Sequence, residues 1–181
     1  MASRYQAREY DGWTHGLTSG TQSEGADDWM WGEPKAGVDS GDPQDAYSGE
    51  KVYGNDLGGG NFNGKYQANK VNYALSPVVD VTGYDHVRLQ YRRWLQVEDA
   101  FFDRATIYAN DVDVWDNLNS NNGSDSKVHH QDQEWRFHDV DLSPTIGSDE
   151  TVQVKFEMAS DGGLEFGGWT IDDFCIVGWL S

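Results

Sequence analysis

The stretch Thr151-Val152-Gln153-Val154-Lys155-Phe156-Glu157-Met158-Ala159 decides the fold class. Val152, Val154, Phe156 and Met158 fall on one face, while Thr151, Gln153, Lys155 and Glu157 fall on the other. That period of two belongs to a strand covering a core on one side only. Working outward, the same alternation, over at least part of the length, runs through 87–97 (VRLQYRRWLQV), 104–109 (RATIYA), 135–142 (WRFHDVDL) and 169–179. Weaker strand signals lie at 13–16, 29–32, 51–53 and 73–76, separated by Gly, Asp, Asn and Ser clusters that favour turns. No convincing amphipathic helix interrupts them. Eight or nine short strands of this kind predict an all-β, two-sheet antiparallel jelly-roll β-sandwich, one domain over 1–181.

Composition narrows what such a domain does. Of 181 residues 37 % are hydrophobic, yet 13 % are aromatic, with 8 Trp, 9 Tyr and 7 Phe, and 21 Gly stand against 4 Pro. A few large rings and many tight turns therefore build the core. The net charge of −18 disfavours nucleic acid, whose affinity comes from Lys and Arg neutralising phosphates. No apolar run is long enough to span a bilayer, so membrane insertion is not expected. Met1-Ala2-Ser3-Arg4 is not followed by the apolar core of a signal peptide, which suggests an excised module whose export signal lies elsewhere. The lone Cys175, in the apolar run 174–177, is expected to act as a small buried hydrophobe.

The motifs of common enzymes are missing. His15, His86, His129, His130 and His138 offer no HExxH spacing, and neither a Gly-x-Ser-x-Gly elbow nor a glycine-rich phosphate loop occurs. Glu98 and Asp103 are a formal carboxylate pair for a glycosidase, but 31 acidic residues produce such pairs by chance. The acidity itself has two sources, carboxylates gathered for hard cations and, in larger part, an acidic surface that keeps a protein soluble in salty water. For the candidate carboxylates calcium is a better explanation than catalysis, because it takes six to eight oxygens from a mixture of carboxylates and carbonyls, as Asp-rich turns next to glycines supply. The sharpest local feature is Gly167-Gly168-Trp169-Thr170-Ile171-Asp172-Asp173-Phe174, where two adjacent Asp interrupt an apolar final strand. Neighbours in a strand face opposite ways, so one carboxylate is expected to point inward, which is costly unless it meets a cation or hydrogen bonds. Calcium and backbone hydrogen bonds at a sandwich corner both satisfy it.

An ordered set of short motifs covers nearly the whole chain: Asp28-Trp29 with Trp31-Gly32, Ser48-Gly49 leading to Tyr53-Gly54-Asn55-Asp56-Leu57, and Leu75-Ser76-Pro77 before Val79-Asp80-Val81. It continues through Trp94-Leu95, Glu98, Phe102-Asp103-Arg104-Ala105, Trp115-Asp116-Asn117-Leu118, Trp135 with Asp141-Leu142-Ser143, and Gly168-Trp169-Thr170-Ile171-Asp172-Asp173. In this it resembles the MAM-type jelly-roll domains, and more closely the carboxy-terminal sandwich of secreted bacterial immune inhibitor A-like metallopeptidases and related adhesin modules. The resemblance implies a cation held by Asp28, Asp56 and Asp172 or Asp173, with Glu98 and Asp103 as further candidates. The cysteine pairs of animal MAM domains are absent, which favours the bacterial branch. Where the family has an aspartate-glycine-glycine hairpin this chain has Asn110-Asp111-Val112-Asp113, leaving that turn's conformation open.

The functional expectation is a non-catalytic, secreted, calcium-binding accessory or adhesion module. Its expected partners are neighbouring domains of a larger protein and a carbohydrate or cell-surface ligand, with Tyr66 and Trp115 as exposed rings for that ligand. A small glycoside-acting jelly roll and a purely structural adhesin spacer are the alternatives.

Overall fold

A computed structural model of the chain describes residues 3–6, 11–123 and 128–181. The end of the Asn/Ser-rich stretch 117–126 thus lies outside the described residues. Among the described residues fourteen strands follow one another: β1 (Ser3–Gln6), β2 (Thr14–Ser19), β3 (Trp29–Gly32), β4 (Val52–Asn55), β5 (Val71–Leu75), β6 (Val79–Asp80) and β7 (His86–Val97). Then come β8 (Arg104–Ala109), β9 (Val112–Asp116), β10 (His130–Gln131), β11 (Arg136–Asp141), β12 (Thr151–Val152), β13 (Val154–Ala159) and β14 (Gly168–Trp179). Helical turns within the described residues are confined to short 3₁₀ segments, Val38–Ser40 and Ser143–Thr145 among them.

Two antiparallel sheets form the sandwich. One runs β2-β5-β13-β8-β9; the other is centred on the long strands β7 and β14 and extends through β4 to β3. β10 and β11 share the free edge of β7, and β1 pairs with β14 beside β4. The diagnostic stretch behaves as its pattern demands: Val152, Val154 and Phe156 are fully buried and Met158 nearly so, while Lys155 and Glu157 are half-buried on the other face. It breaks between β12 and β13 at Gln153, whose N–H bonds to Asn110 Oδ1 instead of a ladder partner. Phe156 is the hub of an aromatic core, edge-on to Trp169 at 5.2 Å and to Tyr91 at 5.3 Å. Tyr53, Trp29 and Phe174 extend this cluster toward the other end, consistent with a core built from rings.

The unresolved hairpin takes a simple form. Ala109 pairs with Val112, so Asn110 and Asp111 are the two loop residues, at φ +48° and +62°. Two left-handed residues make the turn whose twist matches its strands, and Asn and Asp are the non-glycine types that tolerate it. The two-residue strands β6 and β10 carry too few residues for alternation to reveal them.

Candidate functional site

β7 ends at Val97, and the next six residues, Glu98 to Asp103, turn the chain into β8. Asp99 holds this turn: its carbonyl accepts the N–H groups of Phe102 and Asp103, and its Oδ1 accepts those of Phe101 and Ser120. Asn117 fixes the base of the turn by donating Nδ2 to the Glu98 and Asp103 carbonyls. The consequence is to bring Glu98 and Asp103 beside Asp161, in the Gly-rich turn after β13. One carboxylate oxygen from each of the three lies within 4.8 Å of the others.

Two members are deeply placed. Asp103 is wholly buried, with Oδ2 accepting the Tyr66 hydroxyl at 2.6 Å and Oδ1 accepting the Asp161 N–H at 2.7 Å. Glu98 is 7 % exposed, and its carboxylate has no hydrogen bond among the described residues. Burial, and then the charges of Asp103, Asp161, Asp99 and Glu165, push its pKa up to about 7. Burial raises that of Asp103 to about 6 against the opposing hydrogen bonds from Tyr66 and Asp161. The next residue, Asp99, also has a buried Oδ2 with no partner. Glu98 and Asp161 open onto a shallow depression floored by Phe102, Gly162, Gly163 and Leu164. Three hard oxygen donors with no basic partner among the described residues and an opening to solvent could hold a metal ion.

A second acidic region lies near β3 and β4. Asp28 Oδ1 accepts Asn55 Nδ2 at 2.8 Å and Asn72 Nδ2 at 2.9 Å, while its buried Oδ2 has no partner. Burial, and less strongly the charge of Asp56, raise the Asp28 pKa to about 7. Asp42 is also buried, chiefly for that reason titrates well above the usual range, and leaves Oδ1 without a partner. Asp56 is different: Gly58, Asn63 and Gly64 all donate N–H groups to its carboxylate, which closes the glycine-rich loop. The backbone at Gly167 passes so close to Asp42 that a Cβ there would overlap the carboxylate.

Asp172 and Asp173 are held by backbone and hydroxyl groups. β14 carries one extra residue between Asp172, opposite Arg92, and Cys175, opposite Gln90. This bulge, with Asp173 at φ +50°, lets Ile171 and Phe174 both enter the core. Asp172 shares the outer face with its cross-strand partner Arg92, so the expected inward carboxylate is absent at this corner. It is buried all the same, because the loop before β4 covers it and Ser48 N–H donates to its Oδ2 at 2.9 Å. Ser48 Oγ donates to Asp173 Oδ1 at 2.6 Å.

A region of 164 residues, 90 % of the chain, is 32 % identical to Bacillopeptidase F of Bacillus subtilis strain 168. The chain is related to one segment of a much longer protein. It spans 10 % of the length of Bacillopeptidase F. No family model matches it. Among solved structures, a cyclase from Fischerella sp. TAU superposes with TM-score 0.52 at 13 % identity, over 94 % of this chain and 86 % of that one. The K1 cleaved adhesin domain of Lys-gingipain from Porphyromonas gingivalis W83 gives TM-score 0.49 at 14 % identity, over 100 % and 99 %. The jelly-roll resemblance read from the motifs holds at the level of fold.

The structure unites only part of the sequence-derived set. Glu98 and Asp103 meet, with Asp161 as the partner that sequence reasoning missed; its signal was an Asp before two glycines, a turn able to present oxygens. Asp28 and Asp56 sit together near Asp42, apart from that trio and from Asp172 and Asp173. Tyr66 corrects an expectation of exposure: its side chain is 1 % exposed, and its hydroxyl serves Asp103. Trp115 is half-buried, edge-on to Trp169 at 5.7 Å and to His138 at 5.1 Å, with Arg93 over its face. Cys175 is half-buried on the outer face rather than enclosed in the core.

Proposed function

We propose that this chain is a non-catalytic accessory module of a larger extracellular bacterial protein, stabilised by calcium at Glu98, Asp103 and Asp161. Its partners in this reading are neighbouring domains and a carbohydrate or cell-surface ligand. One observation carries it: Glu98, only 7 % exposed, sets its carboxylate against two others with no hydrogen bond and no basic partner among the described residues. A buried charge in that state is destabilising until a cation joins it. The relation to a tenth of Bacillopeptidase F supports a module within a longer chain. Asp28 and Asp56, with Asp42, form a second place where a cation would relieve buried charge, whereas hydrogen bonds from Ser48 already serve Asp172 and Asp173. The catalytic alternative would need Glu98 and Asp103 to flank a sugar, and Asp103 is enclosed with both oxygens engaged.

Thermal unfolding after exhaustive chelation, repeated with calcium or magnesium restored, tests the reading. Calcium at ~100-fold its dissociation constant stabilises by about 2.7 kcal/mol, a rise in Tm of several degrees. Glu98→Gln and Asp161→Asn each reduce that rise. Equal melting with and without calcium would remove the metal from the proposal.

A further inference from the structure

Outside the acidic region, the outer face of β7 and β11 carries an arginine in an unusual setting. The guanidinium of Arg92 lies 4.1 Å from the ring centre of Tyr47 and 5.3 Å from that of Phe137. Both rings are exposed, at 45 % and 54 %. Trp135 stands edge-on to Tyr47 at 6.4 Å and to Trp94 at 5.8 Å, extending the aromatic surface. Nearby arginines are paired: Arg88 with Asp139, Arg93 with Asp132, and Arg136 with Glu134. Arg92 makes no ion pair among the described residues, although the chain carries 31 acidic residues.

The surface is also held in shape. The loop bearing Tyr47 is tied down by Ser48 to Asp172 and Asp173, by Trp135 Nε1 to the Asp45 carbonyl at 3.1 Å, and by Trp94 Nε1 to the Gly41 carbonyl at 2.8 Å. The twin aspartates of β14 thus help position an aromatic ring on the outer face of their own sheet. A preorganised surface loses little entropy on binding. Its chemistry is specific: two exposed rings offer apolar surface, and the guanidinium beside them, with no ion pair among the described residues, has donors to offer a planar acceptor.

We propose that Tyr47, Arg92 and Phe137 form a binding site for a carboxylated polysaccharide, with a sugar ring packed on the aromatic faces and a uronate carboxylate on Arg92. This deepens the accessory-module reading by naming its ligand class, and rests on it. Charge complementarity selects the carboxylated class, because a neutral glycan leaves the guanidinium without its acceptor. The net charge of −18 opposes a polyanion at long range, so binding tightens as ionic strength rises from very low values to physiological ones, where the Debye length is about 8 Å.

Calorimetric titration of the whole chain, with calcium present throughout, tests this using oligosaccharides of galacturonate, mannuronate and glucuronate beside neutral gluco-oligosaccharides. At least one uronate binds while the neutral sugars do not. Arg92→Gln weakens that binding about tenfold or more, as loss of a charge-assisted contact does. Tyr47→Ala and Phe137→Ala weaken it too, Leu118→Ala on a distant loop leaves it unchanged, and all four melt near the wild-type temperature. Uronate binding that survives Arg92→Gln with unchanged affinity would place the ligand elsewhere, sinking this site while leaving the module reading intact. Binding of neutral sugars alone, self-association through this face, or no uronate binding at all would each overturn the proposal. The calcium response is measured separately and is indifferent to these outcomes.

Discussion

At the residue scale, the carboxylates sort by what surrounds them rather than by where they fall in a motif. Asp56 and Asp172 have N–H donors; Asp28, Asp42 and Asp99 each leave a buried oxygen unsatisfied, and Glu98 faces two other carboxylates. Glu98→Gln removes the charge and keeps the shape. In the metal-free protein the variant should melt higher than wild type by about 2–4 °C, equivalent to about 1 kcal/mol in a chain this size, and gain less from calcium. Differential scanning calorimetry with and without chelator checks both. His138 gives a pH signature of another kind. Its Nδ1 is 2.8 Å from the Tyr91 hydroxyl, and burial, then the charge of Arg93, lowers its pKa to about 4. The folded state resists protonation there while the unfolded chain takes a proton near 6.5, so His138 withdraws stability as pH falls from 6.5 toward 4. Buried carboxylates with raised pKa act in the opposite sense over part of that range, so the comparison must be with a variant. His138→Gln should gain stability relative to wild type between pH 7 and 4, read as a shrinking difference in urea midpoints.

At the element scale, the β8–β9 hairpin and the β14 bulge show the chain solving backbone problems without glycine. Asn110 and Asp111 occupy left-handed positions, and Asn110 also bonds through its side chain to the Thr145 and Thr151 carbonyls and to Gln153 N–H. Asp111→Gly should therefore be neutral or stabilising by a few tenths of a kcal/mol. Asn110→Val, which forces a β-branched residue to positive φ and strands three backbone groups, should cost about 2–4 kcal/mol. Chemical denaturation midpoints discriminate the two. Strands of five or more residues with clear alternation were legible from residue order, β7, β8, β13 and β14 among them, because burial on one face imposes a period of two. The two-residue strands β6 and β10 were not, since their pairing depends on what the longer strands bring alongside. The bulge was invisible as well: Asp172-Asp173 signalled a disturbance, but its cause, an extra residue that keeps Ile171 and Phe174 both inward, appears only in the register with β7.

At the scale of the whole molecule, the charge of −18 is a field as well as a set of sites. Self-repulsion is screened by any salt, whereas a calcium site is selective. Sodium chloride raised from low to physiological strength should lift the Tm of the chelated protein modestly, and calcium should add a larger rise at concentrations too low to change the ionic strength. Matched scans in sodium, magnesium and calcium separate the two effects.

Residue order by itself determined the all-β class and the aromatic core, because periodicity and composition act locally or over the chain as a whole. It also placed Glu98 and Asp103 among the candidates. Tertiary structure alone decided that Asp161 joins them, that Tyr66 is enclosed, that Asp172 faces outward beneath a loop, and that Tyr47 and Phe137 flank Arg92. These are contacts between residues 37 to 125 positions apart or across strands, and no local pattern records them, since chain reversal and sheet register set which side chains share a face.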